Sequence, residues 1–153
     1  MSHPLAPLPL RKIVVGVDES ACAREALRWA RGLGALTHTP VDVVHVYPRD
    51  LGWLDPDRDA DELAEARATA TADGQQVLDA ILADELDDRG EVETTILLGD
   101  AATCLTGHTG PEDLLVVGTH GHGGLSGLLL GSVTRHCVEH ATCPVVVIPP
   151  GQS

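Results

Sequence analysis

Strand-like and helix-like segments alternate along this chain, and the alternation predicts an α/β fold: a single domain on an open five-stranded parallel sheet with four helices spread over both faces. Three observations carry that expectation. The candidate strands are short Val, Leu and Ile runs with little polar alternation, as suits strands covered on both sides. The segments between them place apolar residues at helical spacing. With 153 residues, 43% of them hydrophobic, the chain fits one domain with a real core.

Residues 1–10 are proline-rich and read as a flexible segment ahead of a domain over 11–150. They hold no basic residue before a hydrophobic run, so no signal peptide is expected. Lys12 to Val17 reads as the first strand. The following helix buries Ala23, Ala26, Leu27, Ala30 and Leu33 on one stripe, with Ser20 as its cap. Val41 to Tyr47 is the second strand, and Pro48 to Asp57 an irregular connection. A long helix is expected from about Asp59 to Asp88, burying Ala70, Gly74, Val77, Leu78, Ile81 and Leu82 and stopped by Gly90. Glu91 to Leu98 is a third strand, Ala101 to His108 a short helix and Glu112 to Gly118 the fourth strand. Ser132 to His140 is the last helix and Pro144 to Pro149 the last strand.

Composition excludes several functions. The chain has 23 acidic and 10 basic residues, and its net charge of -13 repels a nucleic-acid backbone. Trp29, Trp53 and Tyr47 are the only aromatics, so base-stacking surface is scarce. Neither nucleic-acid nor membrane binding is expected, since no segment approaches the length of a transmembrane helix. Cys22, Cys104, Cys137 and Cys143 are scattered rather than grouped as a disulfide framework, which points to a reducing cytoplasm.

The most informative stretch runs from Val117 to Thr134. A buried-looking strand ends at Gly118. Gly118 and Gly121 bracket two residues, nine more lead to Gly131, and Ser132, Val133 and Thr134 open a helix. Glycines let backbone amides approach an anion, and amides at a helix start donate to oxyanions. The loop reads either as a phosphate cradle or as a turn. It lacks the Gly-Lys-Ser/Thr ending of a Walker loop, and no dinucleotide fingerprint follows the first strand, where Gly16, Val17, Asp18, Glu19 and Ser20 stand. In open parallel sheets ligands settle where strand order reverses, which would bring Val17 and Asp18 to face this loop. Asp18 then reads as a Mg²⁺ ligand, directly or through water, as a partner for a ribose hydroxyl, or as a cap for the helix near Ser20.

These residues also carry a resemblance. The chain resembles the universal stress protein family, whose ATP-binding members have Gly, two residues, Gly, nine residues, Gly and then Ser or Thr. Gly118, Gly121, Gly131 and Ser132 fill that motif. The likeness extends to Ile13-Val14-Val15-Gly16-Val17-Asp18-Glu19-Ser20, to His45-Val46 and to Cys143-Pro144-Val145-Val146-Val147. It implies an adenine-nucleotide alpha-hydrolase-like sheet of order 3-2-1-4-5. It also implies roles: Asp18 near ribose and metal-bound phosphates, Gly16 and Val17 beside it, and Val46 on the adenine. Val117 and Gly118 border the ribose, His120 and Gly121 the phosphates, and Gly131, Ser132, Val133 and Thr134 supply them amides and hydroxyls. The cofactors implied are ATP, or ADP or AMP, with Mg²⁺. The last strand, Val145 to Ile148, is implied to pair across a two-fold axis into a homodimer.

Other residues invite other readings. His136, Cys137, His140 and Cys143 form a possible metal set, yet Cys137 shares a stripe with Val133 and Ala141, which favours core cysteines. His45 reads as a hydrogen-bonded structural histidine and Arg135 as a solvated surface residue. No nucleophile, base and orienting acid stand out as a set, so slow ATP hydrolysis is the most that is expected. The expected function is an ATP-binding stress-response module that senses or signals through occupancy, acting with an unidentified protein partner. The alternative is a dimeric adaptor whose cleft is empty or holds AMP.

Overall fold

The computed structural model describes residues 10–48, 57, 59–86, 92–120 and 130–151. Along them run β1 (Ile13–Gly16), α1 (Ala21–Thr37), β2 (Val41–Tyr47), α2 (Ala60–Glu85), β3 (Val92–Leu98), α3 (Ala101–His108), β4 (Leu114–Gly118), α4 (Ser132–His140) and β5 (Val145–Ile148). The strands form one parallel sheet of order β3-β2-β1-β4-β5. Sequence periodicity had the right elements, with small shifts at their ends. Lys12 and Val17 fall outside β1 but keep its neighbours in register, since the Lys12 carbonyl accepts from Leu114 and the Val17 amide donates to Val44.

The end of α2 departs from expectation. It stops at Glu85, and Leu86 takes an extended conformation with its side chain only 6% exposed. Leu86 packs into the core at that cap, and its burial favours leaving the helix there. Gly90 lies outside the described residues, as do residues 1–9 and 49–56.

The core has two sides because strand side chains alternate. Ile13, Val15, Val41 and Val43 face α1 and α2, where they meet Ala26, Leu27, Leu78, Ile81 and Leu82. Val14, Val44, Leu115 and Val117 face the other way, toward Leu105 and Cys137. Without phenylalanine, close contact comes from small residues. A methyl group on Gly34 would lie 2.5 Å from Val41 Cγ2 and 2.9 Å from the Thr39 carbonyl oxygen, and one on Gly74 3.0 Å from Ile96 Cγ2. Helices and strands approach at these points because nothing projects there.

Polar ties hold the rims. Asp113 is fully buried and accepts from Arg11 Nε at 2.9 Å, Arg11 Nη2 at 2.7 Å and the Gly110 amide at 2.8 Å. Burial pushes this carboxyl up, but Arg11 and the Gly110 amide together hold it below its usual value. Glu85 joins α2 to α1, accepting from Arg28 Nε at 2.7 Å and Nη2 at 2.9 Å. Those hydrogen bonds, aided by Arg24, hold Glu85 below the usual value against its burial. Among the described residues, no helix is long and apolar enough to cross a membrane.

Because both carboxyls titrate lower in the folded chain, their stabilisation is complete above the unfolded-state values, near pH 4, and is lost as pH falls through the lower folded-state values. The thermal midpoint should therefore hold from neutrality to about pH 5 and fall below about pH 4. Asp113→Asn should lower the neutral midpoint by roughly 3–6 °C and flatten the acid limb; an unchanged acid limb would remove Asp113 from this role. Two helical glycines give a second check. Gly32 has open space around its missing side chain, so Gly32→Ala should raise stability in urea by about 0.5–1 kcal/mol. Gly34→Ala should lower it by about 1–3 kcal/mol.

Candidate functional site

Winding reverses between β1 and β4. The helix after β1 packs on one face of the sheet and the helix after β4 on the other, so the chain leaves the two adjacent strand ends in opposite directions. A crevice opens between them. It is an open cleft, lined by Gly16, Val17, Asp18, Ser20, Ala23, Val44, Val46, Ala101, Leu105, Val117, Gly118, His120, Val133 and Thr134.

The β1 side of the cleft is built by a run of hydrogen bonds. Val17 donates its amide to the Val44 carbonyl at 2.8 Å, and its own carbonyl accepts from buried His45 at Nδ1, 2.9 Å away. Asp18 Oδ1 accepts from the Ser20 amide at 2.8 Å, and Ser20 Oγ accepts from the Ala23 amide at 3.2 Å as the cap of α1. Asp18 thus leads the chain into the helix, as the capping reading requires, and it also lines the cleft.

On the β4 side, Thr119 and Gly131 form a neck. The Gly131 amide donates to the Thr119 carbonyl at 2.7 Å, and the Thr119 amide to Ile148 at 3.0 Å. Thr134, buried, donates its hydroxyl to the Gly118 carbonyl at 2.6 Å. That hydroxyl is taken up in fastening the neck. Gly131 caps α4 and has no side chain to bond the first-turn amides, whereas Ser20, Asp59 and Asp100 cap α1, α2 and α3. Gly131 and Ser132 stand at this helix start beside the cleft lining. Gly121 and His122 lie outside the described residues.

Gly118 has a packing reason as well. A methyl group there would lie 2.7 Å from Cys22 Cβ and 3.0 Å from the Cys22 backbone, so α1 seats against this glycine. A methyl on Gly16 would lie 2.8 Å from Leu105 Cδ1. Leu105 and Ala101, one turn apart on α3, form a wall that strand and loop motifs do not signal. Ser20, Ala23 and Val44 were missed too. Val44 was within reach, because it shares a strand face with Val46 two residues on.

The other candidate residues sit elsewhere. Cys137 and Cys143 are buried in the core beside α4. Burial, with Cys143 and Asp100 nearby, pushes the Cys137 thiol up to about 11. The His136 and His140 rings lie 4.4 Å apart. Arg135 is exposed. Among the described residues, no group of three or more His, Cys, Asp or Glu side chains is placed to hold a metal ion.

Comparison with known proteins identifies the fold and the family. The chain is 30% identical over 151 residues to Universal stress protein MT2052 of Mycobacterium tuberculosis (strain CDC 1551 / Oshkosh), covering 90% of this chain and 47% of that one. It thus spans about half the length of the curated relatives it matches. Its fold is similar to that of hypothetical protein MJ0577, with a TM-score of 0.73 at 24% identity over 94% of this chain and 99% of the other. It is also similar to a universal stress protein solved in complex with cAMP, with a TM-score of 0.59 at 20% identity over 93% and 98% of the two chains. The model of the universal stress protein family matches residues 9–149, nearly the whole sequence, and this chain belongs to that family.

Proposed function

We propose that the cleft binds an adenine nucleotide, ATP with Mg²⁺, and that occupancy is the signal this protein contributes to a stress response. One juxtaposition carries the reading: a helix start whose first-turn amides lack a side-chain cap, a carboxylate and an apolar wall meet in one cleft at the winding reversal. The amides of Ser132, Val133 and Thr134 are suited to oxyanions. Val44, Val46, Ala101 and Leu105 offer a surface for a planar base. A structural relative that holds cAMP supports the ligand class.

The donor set fits magnesium. Asp18 is the one carboxylate among the described lining residues, and Mg²⁺ is commonly held by one or two carboxylates with phosphate and water oxygens completing its shell. Bound there, the ion would screen the phosphates from Asp18. No lysine or arginine stands among the described lining residues, so amides and Asp18 carry the recognition. This scarcity of positive charge favours slow hydrolysis at most, and it supports AMP in an adaptor as the second reading. Calorimetry on nucleotide-free protein should show micromolar binding of ATP with Mg²⁺. Asp18→Ala should weaken it about tenfold and remove the magnesium dependence, and Ala101→Trp should abolish it while the melt stays cooperative. AMP binding without a magnesium effect would favour the adaptor, and no binding of any adenine nucleotide would end the nucleotide reading.

The sheet edge at β5 is read as the dimer contact. Val146 and Ile148 pack partly buried against one core and Val145 and Val147 against the other, and the backbone edge of β5 is open to a second copy. Leu115 and Thr119 donate to the carbonyls of Pro144 and Ile148; even-numbered residues therefore bond β4, and the amides of Val145 and Val147 point outward. Val147→Pro should convert a dimer to a monomer in sedimentation without loss of secondary structure. A dimer unchanged by that substitution would place the contact elsewhere.

A further inference from the structure

His45 is a polar ring on an apolar strand face. Alternation along β2 places it with Val41 and Val43, on the side of α1 and α2, opposite Val44 and Val46, which line the cleft. It is 7% exposed, and its Nδ1 lies 2.9 Å from the Val17 carbonyl oxygen. A carbonyl only accepts, so the ring donates and carries its proton on Nδ1. With the Val17 amide bound to Val44, both backbone polar groups of Val17 are held. The next residue is Asp18, whose carboxylate is bonded in turn to the Ser20 amide.

We propose that His45 is a positioning residue for the cleft: by fixing the Val17–Asp18 peptide from behind the sheet, it sets the direction in which Asp18 meets a magnesium nucleotide. The role rests on the nucleotide reading above. His45 does not line the cleft, so its influence passes through the backbone. A leucine would suit the apolar face better, but it would leave the Val17 carbonyl without this donor. The arrangement is a second layer behind a metal-facing carboxylate, where loss of an outer partner commonly weakens metal affinity 10- to 100-fold.

Two amide variants separate positioning from simple filling of space. The side-chain nitrogen of asparagine can stand where Nδ1 stands, whereas that of glutamine matches Nε2. His45→Asn should bind ATP with Mg²⁺ within about threefold of the unaltered protein, and His45→Gln about tenfold more weakly. Binding without Mg²⁺ should change little in either. In the Asp18→Ala background His45→Gln should add less than about twofold, because the two substitutions act on one interaction. Nitrogen-15 NMR of the nucleotide-free protein should show His45 with its proton on Nδ1. Equal affinity of His45→Gln and the unaltered protein, a full further loss in the Asp18→Ala background, or a proton on Nε2 with none on Nδ1 would each overturn the role. Unaltered protein that binds no nucleotide would overturn the nucleotide reading and this role with it.

Discussion

Parallel strands cannot be joined by tight turns, and every return to the sheet requires a crossover long enough to hold a helix. That constraint shapes this molecule. From β1 the chain winds outward through β2 to β3, then passes back across the sheet to β4 and outward again to β5. Each half covers itself, and the seam between β1 and β4 is the one place where two strand ends meet without a crossover joining them. The fold thus generates its own crevice before any side chain is chosen to line it.

The material of the core decides how tightly the layers close around that seam. With no phenylalanine, the sheet is faced by Val, Leu, Ile and Ala, and close approaches fall at Gly16, Gly34, Gly74 and Gly118. The last of these matters most to the site. The backbone of Cys22, in the first turn of α1, presses on Gly118 at the end of β4, so the two walls of the cleft are in direct contact at their base. Thr134 fastens the same glycine from the other side through its carbonyl.

Much of this was legible in the sequence. Apolar runs such as Leu114 to Val117 give the strands, because a strand buried on both faces has no polar alternation to disguise it. Ser20 caps α1 as its place before the helical stripe suggests, through a side chain whose geometry depends on a few neighbouring residues. The glycine spacing marked the neck of the loop. What escaped depends on contacts distant in the chain. Leu105 lines the cleft because α3 crosses beneath Gly16, and nothing in Ala101 to His108 announces that neighbour. The end of α2 escaped likewise, since Leu86 leaves the helix for a place in a core that the local pattern does not display. Gly118 was read as room for an anion, and its closest packing turns out to be against a helix.

Burial of Cys137 and Cys143 has a consequence for the dynamics of the whole α3–α4 side. A thiol that is enclosed and kept protonated cannot react with an electrophile where it lies; it reacts when the layer above the sheet parts. The alkylation rate of Cys137, which is fully buried, would therefore report how often the helical layer opens over the strands beneath it.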